Sequence, residues 1–291
     1  MAELPPTIAA VLKQAAPTLQ GVSERGRFEA ELLLAEVLGR DRSYLHTWPE
    51  RVLTATEQRH FHQWLQQRQQ GVPVAYILGR RDFWRLTLSV NRDTLIPRPE
   101  TETLLEQALL RLPLAQERRV VDLGCGSGAI ALALAQERPQ CDIHAVELAE
   151  ATLAVAKQNG MANGLSVSWH NGSWFEPLRG MSFDMVVANP PYLAADSPWL
   201  AAGDLRFEPR GALVAAEAGL ADLKHIIDQA GDYLLAGGWL LVEQGYNQAE
   251  AVKRLFIDSG FFNIGHAVDL QGIVRVTFGQ WQARGESDEW G

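Results

Sequence analysis

The stretch "VVDLGCGSGAIALALA", residues 120–135, joins an apolar run typical of a buried β-strand to an apolar run typical of a helix through three glycines. Glycine lets the backbone turn sharply and lie close to a ligand, because no Cβ intervenes. The start of the helix behind the glycines offers unpaired N–H groups to an electron-rich ligand. The stretch therefore predicts a nucleotide-type binding loop at the end of a strand in an α/β sheet.

Strand and helix patterns alternate from residue 99 onward, and apolar strands that alternate with helices favour a mostly parallel sheet covered on both faces. Helical patterns lie between most of the strands, and the last two strands are expected to form an antiparallel edge. The strand patterns are at residues 118–124, 141–148, 165–170, 183–190, 238–245, 261–270 and 272–281, and the helical patterns include 129–138, 151–162 and 216–235.

The first 72 residues have helical periodicity instead. Phe28, Leu32, Ala35 and Leu38 recur at three- and four-residue steps, which predicts that they share one buried helix face. A second helix is predicted over 54–71, beginning at a threonine cap and ending at a glycine.

Residues 73–98 have strand alternation in "DFWRLTLSV", followed by the turn residues "NRD", and predict a β-hairpin linker. The predicted domains are a helical bundle at 1–72, this linker at 73–98, a catalytic domain at 99–283 and a polar tail at 284–291.

The composition is that of a globular protein, with 291 residues of which 47% are hydrophobic and 21% charged. The sequence shows neither a signal-peptide pattern nor an apolar run long enough to span a membrane. We therefore expect a cytoplasmic protein that does not associate with a membrane. Residues 1–80 carry 9 Lys/Arg and 8 Asp/Glu, a net +1, whereas residues 81–291 carry 17 and 27, a net −10. The larger part is therefore a poor candidate for stable nucleic-acid binding, which needs clustered cations.

The strand pattern at 183–188 ends in Asn189-Pro190-Pro191-Tyr192. The prolines stiffen the strand exit, and the Asn189 side-chain oxygen together with a backbone carbonyl can accept both hydrogens of one planar NH₂ group. Two such acceptors favour pyramidalisation as positive charge develops on the nitrogen, and Tyr192 can stack on the planar group. The motif predicts a catalytic site for an NH₂ group.

The spacing Gly-x-Gly-x-Gly differs from the dinucleotide form and resembles motif I of S-adenosylmethionine-dependent methyltransferases. Glu147 ends the second strand about twenty residues later, where an acid binds ribose hydroxyls. Together with the Asn-Pro-Pro-Tyr motif, the loop resembles that of methyltransferases acting on the NH₂ groups of DNA adenine, of some guanine sites and of protein glutamine. Cys125 is expected to be a small filler of the loop.

Four stretches identify the chain as similar to the PrmC/HemK family: residues 73–84, 95–109 ("LIPRPETETLLEQAL"), 189–193 and 206–220 ("RFEPRGALVAAEAGL"). The resemblance implies a Rossmann-like S-adenosylmethionine-dependent methyltransferase fold with a seven-stranded, mostly parallel sheet. It implies methyl transfer from S-adenosyl-L-methionine to the side-chain nitrogen, N5, of the glutamine in the Gly-Gly-Gln motif of class 1 peptide chain release factors.

The resemblance also implies roles for the matching residues. Asn189, Pro190 and Tyr192 are implied to be catalytic, and with Pro191 they are implied to bind the glutamine. The implied cofactor-binding residues are Gly124, Cys125, Gly126, Ser127, Gly128, Glu147, Trp174 and Asn189, with Phe83, Arg98, Thr101, Glu102 and Ser173 as further candidates.

Glu147 and Ser173 depart from the family pattern, which commonly has Asp at both positions, so cofactor affinity is expected to differ. The helical bundle is expected to present the substrate, the protein to be a monomer, and the reaction to need no metal. Three alternatives stay open: a ribosomal-protein glutamine methyltransferase, a nucleic-acid amino-methyltransferase, and a nucleotide-binding regulatory protein without catalysis.

Overall fold

The computed structural model describes residues 5–282, so the predicted polar tail at 284–291 lies outside the described residues. The described chain divides into two compact units, one formed by residues 5–80 with 198–207 and the other by 81–197 with 208–282. No helix in the described part is long and apolar enough to cross a membrane.

The first unit contains five helices packed around one apolar core. They are α1 (Ile8–Thr18), α2 (Gly26–Val37), α3 (Arg42–Thr47), α4 (Ala55–Gln69) and α5 (Val74–Leu78). A capping box begins α4: the Thr54 hydroxyl accepts the Glu57 N–H, and the Glu57 carboxylate accepts the Thr54 N–H. This reciprocal pair satisfies two N–H groups that a helix start otherwise leaves unpaired.

The predicted buried face of α2 is confirmed at Ala35 and wrong at Phe28. Ala35 lies in the core with Leu33 and Leu34, whereas Phe28 is 41% exposed. The error arose because the run "ELLLAE" offers leucines on adjacent faces, so that periodicity alone does not distinguish them. Arg42 covers the ring of Phe28, with its guanidinium carbon 4.3 Å from the ring centroid.

A two-stranded hairpin, β1 (Arg80–Phe83) and β2 (Leu86–Ser89), follows the helices. The run predicted as one strand is therefore the hairpin itself, and its turn lies at residues 84–85 rather than at "NRD". Trp84 has φ 54°, a conformation that glycine or asparagine usually supplies in a tight turn. The sequence lacks that turn signal, which explains the error.

A seven-stranded sheet organises the second unit. Its strands are β3 (Arg119–Leu123), β4 (Asp142–Glu147), β5 (Ser168–Asn171), β6 (Phe183–Ala188), β7 (Leu234–Glu243), β8 (Phe261–Val268) and β9 (Val274–Trp281). The strand order in the sheet is β5-β4-β3-β6-β7-β9-β8. The first five strands in this order are parallel to one another, and β9 is antiparallel to both of its neighbours, β7 and β8. The predicted mostly parallel sheet and its antiparallel edge are confirmed.

Helices cover this sheet: α6 (Glu102–Arg111), α7 (Ala129–Glu137), α8 (Glu150–Asn163), α10 (Ala221–Ala230) and α11 (Ala249–Asp258). The helix predicted over 216–235 was too long at both ends. A single turn, α9 (Ala216–Gly219), precedes α10, and within this turn Glu217, Ala218 and Gly219 are in the left-handed region, with φ of 52°, 54° and 89°.

The register of the sheet brings three strand ends to one level. Leu123 of β3 pairs with Val146 of β4 on one side and with Ala188 of β6 on the other. The residues that follow these three positions are Gly124, Glu147 and Asn189. The fold therefore places the glycine loop, the acid and the Asn-Pro-Pro-Tyr motif at the same edge of the sheet, where open α/β sheets bind ligands.

Candidate active site

A cavity of about 460 Å³ opens at this edge of the sheet, entirely within the second unit. All five residues of the glycine loop except Gly128 line it. The other predicted site residues in its lining are Arg98, Thr101, Glu147, Ser173, Trp174, Asn189 and Pro191. Residues far apart in the chain therefore surround one cavity.

The glycine loop takes a conformation that glycine permits. Gly124, Gly126 and Gly128 have φ of 69°, 56° and 85°. A Cβ on Gly124 would lie 3.2 Å from the Trp174 ring, and one on Gly128 would lie 3.1 Å from the Trp169 ring. The loop thus depends on glycine both for its turn and for close packing.

Cys125 and Ser127 are buried between these glycines. Burial raises the pKa of the Cys125 thiol, so that the thiol stays protonated and is a poor nucleophile. The Ser127 carbonyl accepts a hydrogen bond from the Asn159 side chain of α8, which fixes the loop against that helix. Both residues support the shape of the loop.

Glu147 ends β4 with its carboxylate beside the glycine loop. It accepts hydrogen bonds from the Gly126 N–H at 3.0 Å and from the Ala149 N–H at 3.0 Å. Trp174, which has φ 44°, covers Gly124 with its ring. An acid and an aromatic face therefore lie on the cavity next to the same loop.

The Asn-Pro-Pro-Tyr motif is held by side chains from other elements. The Asn189 amide nitrogen donates to the Thr101 hydroxyl at 3.1 Å. The Tyr192 hydroxyl donates to the carboxylate of Glu243 at 3.3 Å, and the Tyr192 carbonyl accepts from Gln248 at 3.1 Å. Pro190 and Tyr192 lie behind Asn189 and Pro191, which reach the cavity lining.

Two further predicted cofactor residues are not in the cavity lining. Phe83 is 2% exposed and belongs to the apolar core. The Glu102 carboxylate accepts the Trp84 N–H at 3.1 Å in the turn of the hairpin. The structure thus places Phe83 in the apolar core and Glu102 at the hairpin turn, and their contact with a cofactor stays a prediction.

Three buried acids lie next to the site, and of these the sequence had singled out only Glu208, in the stretch "EPR" at 208–210 that was expected to brace the loop after Tyr192. Glu208 forms an ion pair with Arg98 and accepts the Ile96 N–H at 2.9 Å. Asp122 accepts the Ala131 N–H at 3.1 Å, and burial raises its pKa to about 7. Glu243 is 1% exposed. An acid at the end of an otherwise apolar strand, as in "VVDLG" and "LLVEQG", was the available signal.

Comparison with known proteins agrees with this arrangement. Residues 10–79 match the family model described as PrmC N-terminal domain, and residues 101–202 match that described as Methyltransferase small domain. A solved methyltransferase from Pyrococcus furiosus aligns with a TM-score of 0.52 at 16% identity, covering 68% of this chain and 89% of that one. At this identity the likeness shows the fold alone.

Curated relatives extend over nearly the whole chain. A release factor glutamine methyltransferase of Aliivibrio fischeri is 44% identical over 280 residues, which cover 94% of this chain and 98% of the relative. The protein of the same name from Salmonella typhimurium is 48% identical, covering 89% and 94%, and that from Escherichia coli is 44% identical, covering 93% and 97%. The chain therefore belongs to the release factor glutamine methyltransferase family.

Proposed function

We propose that this protein transfers a methyl group from S-adenosyl-L-methionine to N5 of the glutamine in the Gly-Gly-Gln motif of class 1 peptide chain release factors. The observation that carries the proposal is the Asn-Pro-Pro-Tyr motif at the cavity of a chain 44–48% identical to proteins of that name. The relatives supply the substrate class, and the cavity supplies groups suited to one planar amide.

The cavity residues fit the cofactor. Ile130, Leu148 and Trp174 offer apolar and aromatic surface for an adenine ring. The Glu147 carboxylate can accept hydrogen bonds from ribose hydroxyls, because it is acceptor-only when ionised. Arg98 in the lining can pair with the carboxylate of the amino-acid end. When bound, the cofactor supplies an electrophilic methyl group.

The Asn-Pro-Pro-Tyr motif supplies hydrogen-bond acceptors that make the substrate amide nitrogen more reactive toward the methyl group. An amide nitrogen is a poor nucleophile because its lone pair is delocalised into the carbonyl group. Asn189 Oδ1 and a backbone carbonyl of the proline pair can accept its two hydrogens, which stabilises the positive charge that develops on nitrogen. Tyr192 lies behind these groups and holds the motif through its hydroxyl, which donates to Glu243, and one N–H proton of the substrate leaves to water after transfer.

Several finer assignments belong to the same proposal. Residues 1–72 present the release factor, residues 73–98 form the linker, and residues 99–283 carry the cofactor and the reaction. The protein acts as a monomer without a metal, and it works in the cytoplasm because its substrate acts there on ribosomes. It does not bind nucleic acid stably, in keeping with the net −10 of residues 81–291.

The test incubates purified protein and labelled S-adenosylmethionine separately with a release factor, a ribosomal protein mixture and DNA. Label in the release factor, located by mass spectrometry on the glutamine of its Gly-Gly-Gln peptide, is the expected result. A release factor with Gln replaced by Asn at that position is the matched control. Label only in ribosomal protein or only in DNA would overturn the substrate assignment.

A further inference from the structure

Glu243 is a buried acid next to the Asn-Pro-Pro-Tyr motif. It ends β7, the strand beside β6, and is 1% exposed. Its carboxylate accepts the Tyr192 hydroxyl at 3.3 Å, and the Thr101 side chain beside it lowers its pKa. Its second oxygen has no hydrogen-bond partner among residues 5–282. Burying a carboxylate costs free energy, so we infer the role of Glu243 from the side chains that it contacts.

The hydrogen bonds around Glu243 have one consistent direction. The Asn189 amide nitrogen donates to the Thr101 oxygen at 3.1 Å, so the single Thr101 hydrogen is left to donate to Glu243. An ionised carboxylate can only accept, and the Oε2 atom of Glu243, which has no other partner in the described residues, is the acceptor that we assign to the Thr101 hydrogen. The network then turns the nitrogen of Asn189 toward Thr101 and leaves its oxygen for another partner.

We propose that Glu243 is a positioning residue that acts through Thr101 to hold the Asn189 amide with its oxygen toward the substrate, while it also holds the Tyr192 hydroxyl. The substrate part of this inference rests on the proposed function. A neutral donor at position 243 removes the constraint, because it can donate to Thr101 and so allow the Thr101 hydroxyl to donate to Asn189 Oδ1. The amide then turns its nitrogen toward the substrate nitrogen, where no acceptor remains.

The charge state of Glu243 should therefore matter. Burial raises its pKa to about 7; hydrogen bonds from Thr101 and Tyr192 and the charge of Arg275 oppose that rise, and Glu100 adds to it. Arg275 is itself paired with Asp269 at 2.8 Å. Because the ionised form is the competent one, kcat should fall as pH drops below about 7.

The first test is Glu243→Gln, which keeps the shape and adds a donor. We expect kcat for the release factor to fall roughly 10- to 100-fold, the range typical of groups that orient a reactive residue. KM for the release factor and affinity for S-adenosylhomocysteine should change less than about threefold. The kcat of the variant should not vary between pH 6 and 8 as that of the wild type does.

The matched control is Glu250→Gln, an exposed acid on α11 of the same unit, which should leave kcat and its pH profile unchanged. A second variant tests the route. If Glu243 acts through Thr101, the double variant Glu243→Gln/Thr101→Val should be little worse than either single variant. Thr101→Ser, which keeps the hydroxyl, should lose less activity than Thr101→Val. Additive losses in the double variant would overturn the route through Thr101.

A measurement without substrate separates this inference from the proposed function. In ¹⁵N-labelled protein the Asn189 side-chain NH₂ signal, assigned by its loss in Asn189→Ala, should be protected from solvent exchange at pH 7.5. Glu243→Gln should remove that protection, and Glu250→Gln should not. If the wild-type protein fails to methylate the release factor, the proposed function is wrong, but the exchange measurement still decides the role of Glu243. An unchanged exchange rate of the Asn189 NH₂ group in Glu243→Gln would overturn the positioning role of Glu243.

Discussion

Asn189 is the residue on which the proposed chemistry depends most directly. Its oxygen is the proposed acceptor for the substrate nitrogen, whereas the cavity proposed for the cofactor is lined by many other residues. Asn189→Ala should therefore lower kcat by at least about 100-fold, as loss of a preorganised transition-state partner does. Affinity for S-adenosylhomocysteine, measured by calorimetry, should stay within about threefold.

Asn263→Ala serves as the control for that prediction, because Asn263 lies exposed on β8 and bonds only to Gln280 among the described residues. It should leave methyl transfer unchanged. Full methyl transfer by Asn189→Ala would contradict the assigned mechanism.

Asp122 is predicted to make stability depend on pH. Its folded-state pKa is raised to about 7 from 3.8 because it is fully buried. Between these values the folded protein holds a proton that the unfolded chain has lost, so the free energy of unfolding should decrease as pH rises from about 4 to 7. The contribution of one such group is about 1.4 kcal/mol per pH unit at most.

Denaturant unfolding at pH 5, 6, 7 and 8 measures this effect. Asp122→Asn can still accept the Ala131 N–H, but it does not ionise, so its stability should fall less between pH 5 and 7 than that of the wild type. Both proteins should have similar slopes between pH 7 and 8. Parallel curves over the whole range would show that Asp122 does not titrate as predicted.

At the scale of elements, the turn α9 packs against the backbone of the Asn-Pro-Pro-Tyr motif at Tyr192. Gly219 has φ +89°, and a Cβ there would lie 2.2 Å from the Tyr192 carbonyl oxygen. The turn therefore packs directly on the backbone of the Asn-Pro-Pro-Tyr motif. This close contact explains why the chain leaves the helical conformation here, although the sequence pattern predicted a helix through 216–235.

Gly219→Ala should destabilise the protein by more than about 2 kcal/mol and reduce kcat, because the methyl group must displace Tyr192 as well as adopt positive φ. Gly237→Ala is the matched control, since Gly237 has φ +75° but open space around its Cβ position. It should cost only about 1 kcal/mol and leave kcat unchanged. Denaturant unfolding and initial rates measure both, and equal costs would contradict the packing argument.

At the scale of the whole molecule, the chain passes between its two units three times. It crosses at residues 80–81, leaves the second unit again after residue 197 and returns at 208. Residues 198–207, which directly follow the motif region, belong to the helical unit. Within that unit Arg68 is 3% exposed and bonds to Glu29 at 2.7 Å, to Asp204 at 3.0 Å and to three backbone carbonyls.

Arg68→Met should release residues 198–207 from the helices and destabilise the helical unit by about 3–5 kcal/mol, because two acids lose their buried partner. Arg206, which donates to the Gln70 carbonyl at 3.3 Å, then becomes a better trypsin site. Limited trypsin digestion with mass spectrometry should show faster cleavage after Arg206. Arg59→Met, an exposed change on the same helix, should leave the cleavage rate at the wild-type value.

Local patterns in the sequence determined much of this protein. Strand and helix periods, the glycine spacing and the paired prolines are encoded over a few residues each, because backbone conformation responds to nearby side chains. They were enough to predict the sheet, the cofactor loop and Asn189. Positions with unusual backbone, such as Trp84 and Glu217, were missed because they carry no glycine signal.

Tertiary structure alone decided which distant side chains meet. Thr101 and Asn189 are 88 residues apart, Arg98 and Glu208 are 110 apart, and Tyr192 and Glu243 are 51 apart. These pairs depend on strand order and register, which no local period encodes. The sequence therefore determined that a glycine loop and the Asn-Pro-Pro-Tyr motif each follow a strand of one parallel sheet, and only the fold decided which distant side chains hold that motif in place.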